Sequence, residues 1–142
     1  MSKFNKKLQI RKKTPDTPPF FILIDTNFIY FALKNKTDVF SEFMDCFSGK
    51  TVICVTECVI LELEKLGHRF RLALRCLMDK RIQKINCLHP SEIIYADDCI
   101  CETIKVFKIF FVATCDKALK LRIKNITSTP VVSIRKKKFF LS

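Results

Sequence analysis

The run FFILIDTN sets Asp25 directly behind apolar residues 20–24, and FFVATCD sets Asp116 just past a second apolar run. A single aspartate in such a place is an ordinary helix N-cap, its oxygen accepting from the amides of the next turn. Two of them at the ends of parallel strands project to one edge of a sheet, where open α/β sheets bind ligands. In CVILELEKL the apolar face is set by Val59, Leu63 and Leu66. Glu62 falls on the flank of that face and Glu64 points to solvent. In YADDC, Asp97 stands three residues before Ile100 and can share its face, with Asp98 as neighbour. The plainer reading of that pair is favourable charge at a helix N-terminus.

Acids gathered in one cleft repel each other in a low dielectric, and a bound cation resolves the conflict. Ligands made only of oxygen suit Mg²⁺ or Mn²⁺. Asp25, Glu62, Asp97 and Asp116 are therefore the candidate metal ligands, with Asp98 a supporting carboxylate. The chemistry they would serve is metal-assisted phosphodiester hydrolysis.

The elements that must position these acids alternate. FFILI, TVICV, KIFFVAT and PVVSI are expected to be strands, with a short extended stretch at IQKINCL. Between them NFIYFALKN, DVFSEFMDCFSGK, ECVILELEKLG, HRFRLALRCLMDK, SEIIYADDCICETIKVF and DKALKLRIKN are expected to be helices. Gly49 and Gly67 are the expected helix stops, and Thr56 an N-cap. Continuous apolar strands alternating with helices predict a three-layer α/β domain around a mostly parallel sheet.

At 142 residues and 49% hydrophobic, the chain is expected to hold one domain, over 20–134. A basic flexible arm (1–19) and a basic tail (135–142) would flank it. No apolar run reaches 18 residues and none resembles a leader, so an intracellular protein with no membrane role is expected. The formal net charge is +12, from 26 basic against 14 acidic residues, which favours a polyanion such as nucleic acid. Candidate RNA contacts are Lys6, Lys7, Arg11, Lys12 and Lys13 in the arm and Arg135, Lys136, Lys137 and Lys138 in the tail. Solvated tails or an import signal are the simpler alternatives. With only two glycines, Gly-rich phosphate loops are excluded.

Eight cysteines in an intracellular chain do not read as disulfides. Cys46, Cys76 and Cys115 read as small buried hydrophobes, and His68 as an exposed helical residue. Cys58, Cys87, His89 and Cys99 have the donor types of a closed zinc site, but 28 residues separate the first two. On spacing alone, core cysteines and a surface histidine are the better reading. Cys54, the alternate ligand, lies mid-strand.

Four stretches, LIDTNFIYFALKNKTD, CVTECVILELEKLG, CLHPSEIIYADDC and FVATCDKALKLRIKN, resemble in order and spacing the PIN-domain endonuclease family of the small-subunit processome. The resemblance covers residues 20–134. It implies a PIN fold and cleavage of precursor rRNA with Mg²⁺ or Mn²⁺, leaving a 5′-phosphate and a 3′-hydroxyl. It implies Asp25, Glu62, Asp97 (with Asp98) and Asp116 as the catalytic, metal-binding acids, with Asn27 and Thr114 as supporting residues. Processome proteins and snoRNA particles are the implied partners, and the nucleus and nucleolus the implied location. A degenerate sister of this nuclease carries the same Cys–Cys–His–Cys order, which implies structural zinc at Cys58, Cys87, His89 and Cys99. It also supplies the alternative function, a non-catalytic RNA-binding assembly factor. The family has a further acid where this chain has Ala118, and its termini are longer.

Overall fold

The computed structural model describes residues 16–87, 89–90 and 95–142. The arm contacts expected at Lys6, Lys7, Arg11, Lys12 and Lys13 lie outside them. The elements are β1 (Phe20–Ile24), α1 (Thr26–Lys34), α2 (Val39–Phe47), β2 (Thr51–Thr56), α3 (Glu57–Leu66), a 3₁₀ turn (His68–Phe70) and α4 (Arg71–Leu77). There follow β3 (Gln83–Ile85), α5 (Ala96–Val106), β4 (Phe110–Ala113), α6 (Lys117–Ile126), β5 (Val132–Arg135) and β6 (Lys138–Leu141).

The sheet order is β3-β2-β1-β4-β5-β6, parallel throughout except for β6. β1 is buried from Phe21 to Ile24 and β4 along its whole length, as expected of strands covered on both faces. The chain runs outward from β1 through β2 to β3, then returns to lay β4 on the other side of β1. Strand order therefore reverses between β1 and β4, and their carboxyl ends open the crevice of a doubly wound sheet. The register pairs Ile24 with Ala113, so Asp25 and Thr114 leave the sheet side by side.

The expected basic tail is instead part of the sheet. β5 and β6 form a hairpin closed by Lys136 (φ 48°) and Lys137 (φ 69°). Two left-handed residues in a two-residue loop match the twist of the strands. Phe139 is then buried, its ring 4.8 Å from those of both Phe28 and Phe43. Burying such a ring contributes about 1.5–3 kcal/mol, which a solvated tail would forgo. Of the tail's cations, Lys138 pairs with Glu42 at 3.5 Å and Arg135 lies over Phe140, while Lys136 and Lys137 stand exposed at the turn.

Local departures have simple causes. Ser48, not Gly49, takes the left-handed position ending α2. Gly49 is small because a Cβ there would stand 3.3 Å from the Phe20 ring. Leu66 is exposed, since α3 turns its Cys58, Val59 and Leu63 face inward and Leu66 is its last residue. The basic helix expected over 68–80 divides into the 3₁₀ turn and α4. α5 starts at Ala96, and residues 91–94, expected in that helix, lie outside the described ones.

Candidate active site and metal centre

Asp25 stands at the β1–α1 junction with a side chain only 4% exposed. Its Oδ1 accepts from the Thr26 amide at 2.8 Å, so it does cap α1. Its Oδ2 accepts from the Thr114 hydroxyl at 2.8 Å. Capping needs one oxygen, and the second is held across the β1–β4 crevice. That hydroxyl has one proton, and the short contact assigns it to Asp25; Asn27 Oδ1, at 3.4 Å, accepts instead from the Cys115 amide at 3.0 Å. Thr114 Oγ1 in turn accepts from the Asp116 amide at 3.1 Å. Asn27 and Thr114 thus tie the start of α1 to the loop after β4.

Asp116 caps α6, its Oδ1 accepting from the amides of Ala118 and Leu119. Glu62 reaches in from α3. Its Oε1 accepts from the Thr26 hydroxyl at 3.1 Å and its Oε2 from the Ala96 amide at 3.3 Å, at the first residue of α5. Glu64 is exposed. Burial pushes the Asp25 carboxyl from its ordinary 3.8 up to about 6. The Thr114 and Thr26 hydrogen bonds oppose this rise, and the charges of Glu62 and Asp116 add to it.

Asp97 and Asp98 open α5, and both face Arg122 of α6, a residue the sequence reading did not single out. Arg122 lies 3.3 Å from Asp97 Oδ2 and 2.9 Å from Asp98 Oδ1. Asp97, placed by spacing on the core face, is as exposed as its guanidinium partner. The only sequence signal for Arg122 is its place six residues after Asp116, on a helix whose start was already assigned to the site.

Also on α3 and α5, and in the segment before α5, Cys58, Cys87, His89 and Cys99 bring their ligand atoms within 4.8 Å of one another. Cys87 Sγ lies 3.5 Å from both Cys58 Sγ and Cys99 Sγ, and Cys58 Sγ is 3.3 Å from His89 Nε2. A tetrahedral zinc with Zn–S near 2.3 Å has edges of about 3.8 Å, so the cluster is zinc-sized. His89 Nδ1 sits 2.8 Å from the Pro90 carbonyl, an acceptor that fixes the proton on Nδ1 and leaves Nε2 to face the thiols. Burial and the nearby thiols push Cys58 up to about 11 and raise Cys99 as well. Cys54 is buried in β2 against its own strand and stands apart from this set. Cys46, Cys76 and Cys115 are half-buried, and all eight thiols are free. The donor types fit zinc here and a hard divalent cation at the carboxylates.

The Fcf1 family model matches residues 45–142. The chain belongs to the Fcf1 family. It is 46% identical over 117 residues to the rRNA-processing protein fcf1 of Schizosaccharomyces pombe, covering 82% of this chain and 60% of that protein. Against the rRNA-processing protein FCF1 homolog of Homo sapiens the identity is 44%, over 82% of this chain and 58% of that one. The chain therefore spans about 60% of the length of the family members it matches. A solved structure described as the PIN domain endonuclease Utp24 superposes with a TM-score of 0.84 at 43% identity, covering 89% of this chain and 94% of that one. The expected PIN-type α/β fold is thereby established for this member of the family.

Proposed function

We propose that the chain is a divalent-metal-dependent endoribonuclease of small-subunit ribosome biogenesis that cleaves precursor rRNA. The observation carrying this reading is the buried Asp25 carboxylate, flanked by the charges of Glu62 and Asp116 in the β1–β4 crevice. A buried acid among acids favours a cation. In this reading Asp25, Glu62, Asp97 and Asp116 hold Mg²⁺ or Mn²⁺, and Asp98 supports Asp97. Such a cation, when bound, activates water and offsets charge on the scissile phosphate. The chain's own residues do the rest. Thr114 orients Asp25, Asn27 fixes the loop carrying Asp116, and Glu62 joins α1 to the start of α5. The exposed cations at Lys136 and Lys137, with the arm lysines, attract the phosphate backbone.

Processome proteins and snoRNA particles are the partners this reading implies, in the nucleolus of the nucleus. The Cys58, Cys87, His89 and Cys99 cluster would hold structural zinc. The family members named as rRNA-processing proteins and the PIN-domain endonuclease neighbour support the reading of a pre-rRNA-processing nuclease. The deciding experiment is Mn²⁺-dependent cleavage of a pre-rRNA fragment spanning the small-subunit boundary, by wild type and by Asp25→Asn. Cleavage that survives the substitution would remove the acidic cleft as the active site.

Two further outcomes probe the site. Thr114→Val keeps the shape but removes the proton donated to Asp25 and strands the Asp116 amide. Partners of metal ligands typically contribute about 10–100-fold in affinity or activity, so a loss of that order is expected. The Asp25 carboxyl loses a contact that lowers its pKa, so the acid limb of the pH–rate profile should move to higher pH. A profile that stays in place would make Thr114 merely structural.

The Arg122 contacts favour a second reading, a non-catalytic RNA-binding factor whose Asp97 and Asp98 are neutralised from within. Arg122→Gln separates the two. An exposed ion pair contributes about 0.2–1 kcal/mol, so removing the competing guanidinium should tighten Mn²⁺ binding about 1.5- to 5-fold in a nuclease. Calorimetric titration showing no Mn²⁺ binding to either protein would favour the second reading.

A further inference from the structure

One cluster lies outside the acidic cleft and the thiol site yet is continuous with the first. Along α1, Asn27, Tyr30, Phe31 and Lys34 recur at steps of three, four and seven residues, which places them on one face of the helix. Asn27 stands at the cleft. At a rise of about 1.5 Å per residue, Tyr30 and Phe31 lie about 5–6 Å beyond it and Lys34 about 10 Å beyond it. The 3₁₀ turn adds Arg69 and Phe70 beside the same stripe. The Phe70 ring is 4.8 Å from that of Tyr30, and the Phe31 ring 5.6 Å away. Arg69 Nε donates to the Tyr30 hydroxyl at 3.0 Å, with its guanidinium 5.4 Å from the ring centre, and Lys34 Nζ is 5.9 Å from it.

A packing role for these rings accounts for Tyr30 against Phe70, but it leaves the rest over. Phe31 is 42% exposed. Lys34 and Arg69 are exposed, and among the described residues neither takes part in an ion pair. The exposed ring of Phe31 beside unpaired cations, on a protein of net charge +12, matches a polyanion that carries flat apolar groups. Single-stranded RNA is such a ligand. Bases stack on aromatic faces whatever their identity, and cations beside the rings meet the backbone. A protein partner would use the rings but has no need of two unneutralised cations around them.

We propose that Phe31, Tyr30 and Phe70, with Lys34 and Arg69, form a base-stacking subsite for single-stranded RNA that leads substrate along α1 toward Asn27. This rests on the reading of the chain as an RNA-acting protein and adds the track that feeds its cleft. A strand lying on this face arrives at the α1 N-terminus, where Asp25 and Asn27 stand. The subsite selects unpaired RNA, because a base inside a duplex has no free face to offer.

The test is fluorescence anisotropy of the full chain with a labelled single-stranded oligouridine, without added Mg²⁺ or Mn²⁺ so that cleavage does not intervene. Phe31→Ala removes the exposed ring, Phe31→Leu keeps apolar bulk without a stacking plane, and Lys34→Gln removes one cation. Loss of one stacking contact corresponds to about 5- to 150-fold weaker binding, expected equally for Phe31→Ala and Phe31→Leu. Lys34→Gln should reduce the salt slope by nearly one phosphate contact. Because Phe31 and Lys34 are exposed, these variants should melt with the wild type, which thermal unfolding checks. Wild-type affinity in Phe31→Ala, or in Phe31→Leu alone, overturns the stacking subsite and leaves the RNA reading intact. A wild-type chain that binds no oligouridine at any salt overturns both.

Discussion

Asp25→Asn is expected to abolish Mn²⁺-dependent cleavage and, at the same time, to raise the melting temperature measured without Mg²⁺ or Mn²⁺ by about 3–8 °C at pH 7.5. The loss of activity should exceed the roughly 100-fold typical of residues that only support a ligand. The gain in stability follows from burial. The carboxyl is shifted from 3.8 to about 6, a differential of about 3 kcal/mol between the charged and neutral forms. Some of that is returned, because asparagine caps a helix about as well as aspartate but forms a weaker contact with Thr114. Thr114 can adapt: its oxygen accepts from the new amide while its proton turns to Asn27 Oδ1, 3.4 Å away. A net gain of about 1–2 kcal/mol is left.

The pH dependence fixes the cause. Between pH 3.8 and about 6 the unfolded chain has released the Asp25 proton while the native protein still holds it. Stability contributed by this group therefore falls as pH rises through that window and is level above it. The variant should be the less stable protein near pH 4, by about 1–2 kcal/mol, overtake the wild type within the window and keep a constant advantage above about pH 6. Mn²⁺ should offset that advantage by stabilising only the wild type, by about 2.7 kcal/mol at a hundredfold excess over Kd. A variant less stable than wild type at pH 7.5 would mean that Asp25 serves chiefly as a cap.

How much of this was legible in the sequence depends on the range of the signal. Asp25 and Asp116 could be placed because an apolar run followed by a carboxylate is local, and because parallel strands aim their carboxyl ends one way. The register that sets Thr114 beside Asp25 comes from the pairing of Ile24 with Ala113, which periodicity does not encode. Arg122 was missed because an arginine on a lysine-rich helix looks like any solvated cation until α5 is packed against α6. The hairpin at Lys136 and Lys137 was missed for the opposite reason. Its turn carries none of the Asn-Gly or Asp-Gly signals that left-handed residues usually bring, so RKKK read as a charge run. The thiols were legible as donor types only, since the fold alone closes the gap between Cys58 and Cys87.

That cluster carries the other large expectation. The purified chain should contain about one equivalent of zinc, and His89→Ala should lose it together with more than about 4 kcal/mol of stability. His89 is the informative ligand because its ring is half-exposed and its removal leaves no cavity in the core. Cys99→Ser, fully buried, should be more severe. Metal binding would contribute directly to folding here, because the ligands come from three separate parts of the chain. Cys58 is on α3, Cys99 is in the first turn of α5, and Cys87 and His89 lie in the segment between β3 and α5.

The same two helices carry the carboxylates. Glu62 follows Cys58 by one turn of α3, and its Oε2 accepts from Ala96, which opens α5 three residues before Cys99. Zinc at this cluster would tie Cys58 to Cys99, and so would hold Glu62 to the start of α5 and keep Asp97 and Asp98 in place. His89→Ala should reduce cleavage although His89 is bonded to none of the acids, and excess Mn²⁺ should only partly restore it. Elemental analysis, thermal unfolding and cleavage on one preparation decide the matter. Zinc-free protein that melts and cleaves like the wild type would reduce the cluster to core packing, whereas loss of all three together would make the thiol site the clamp that shapes the acidic one.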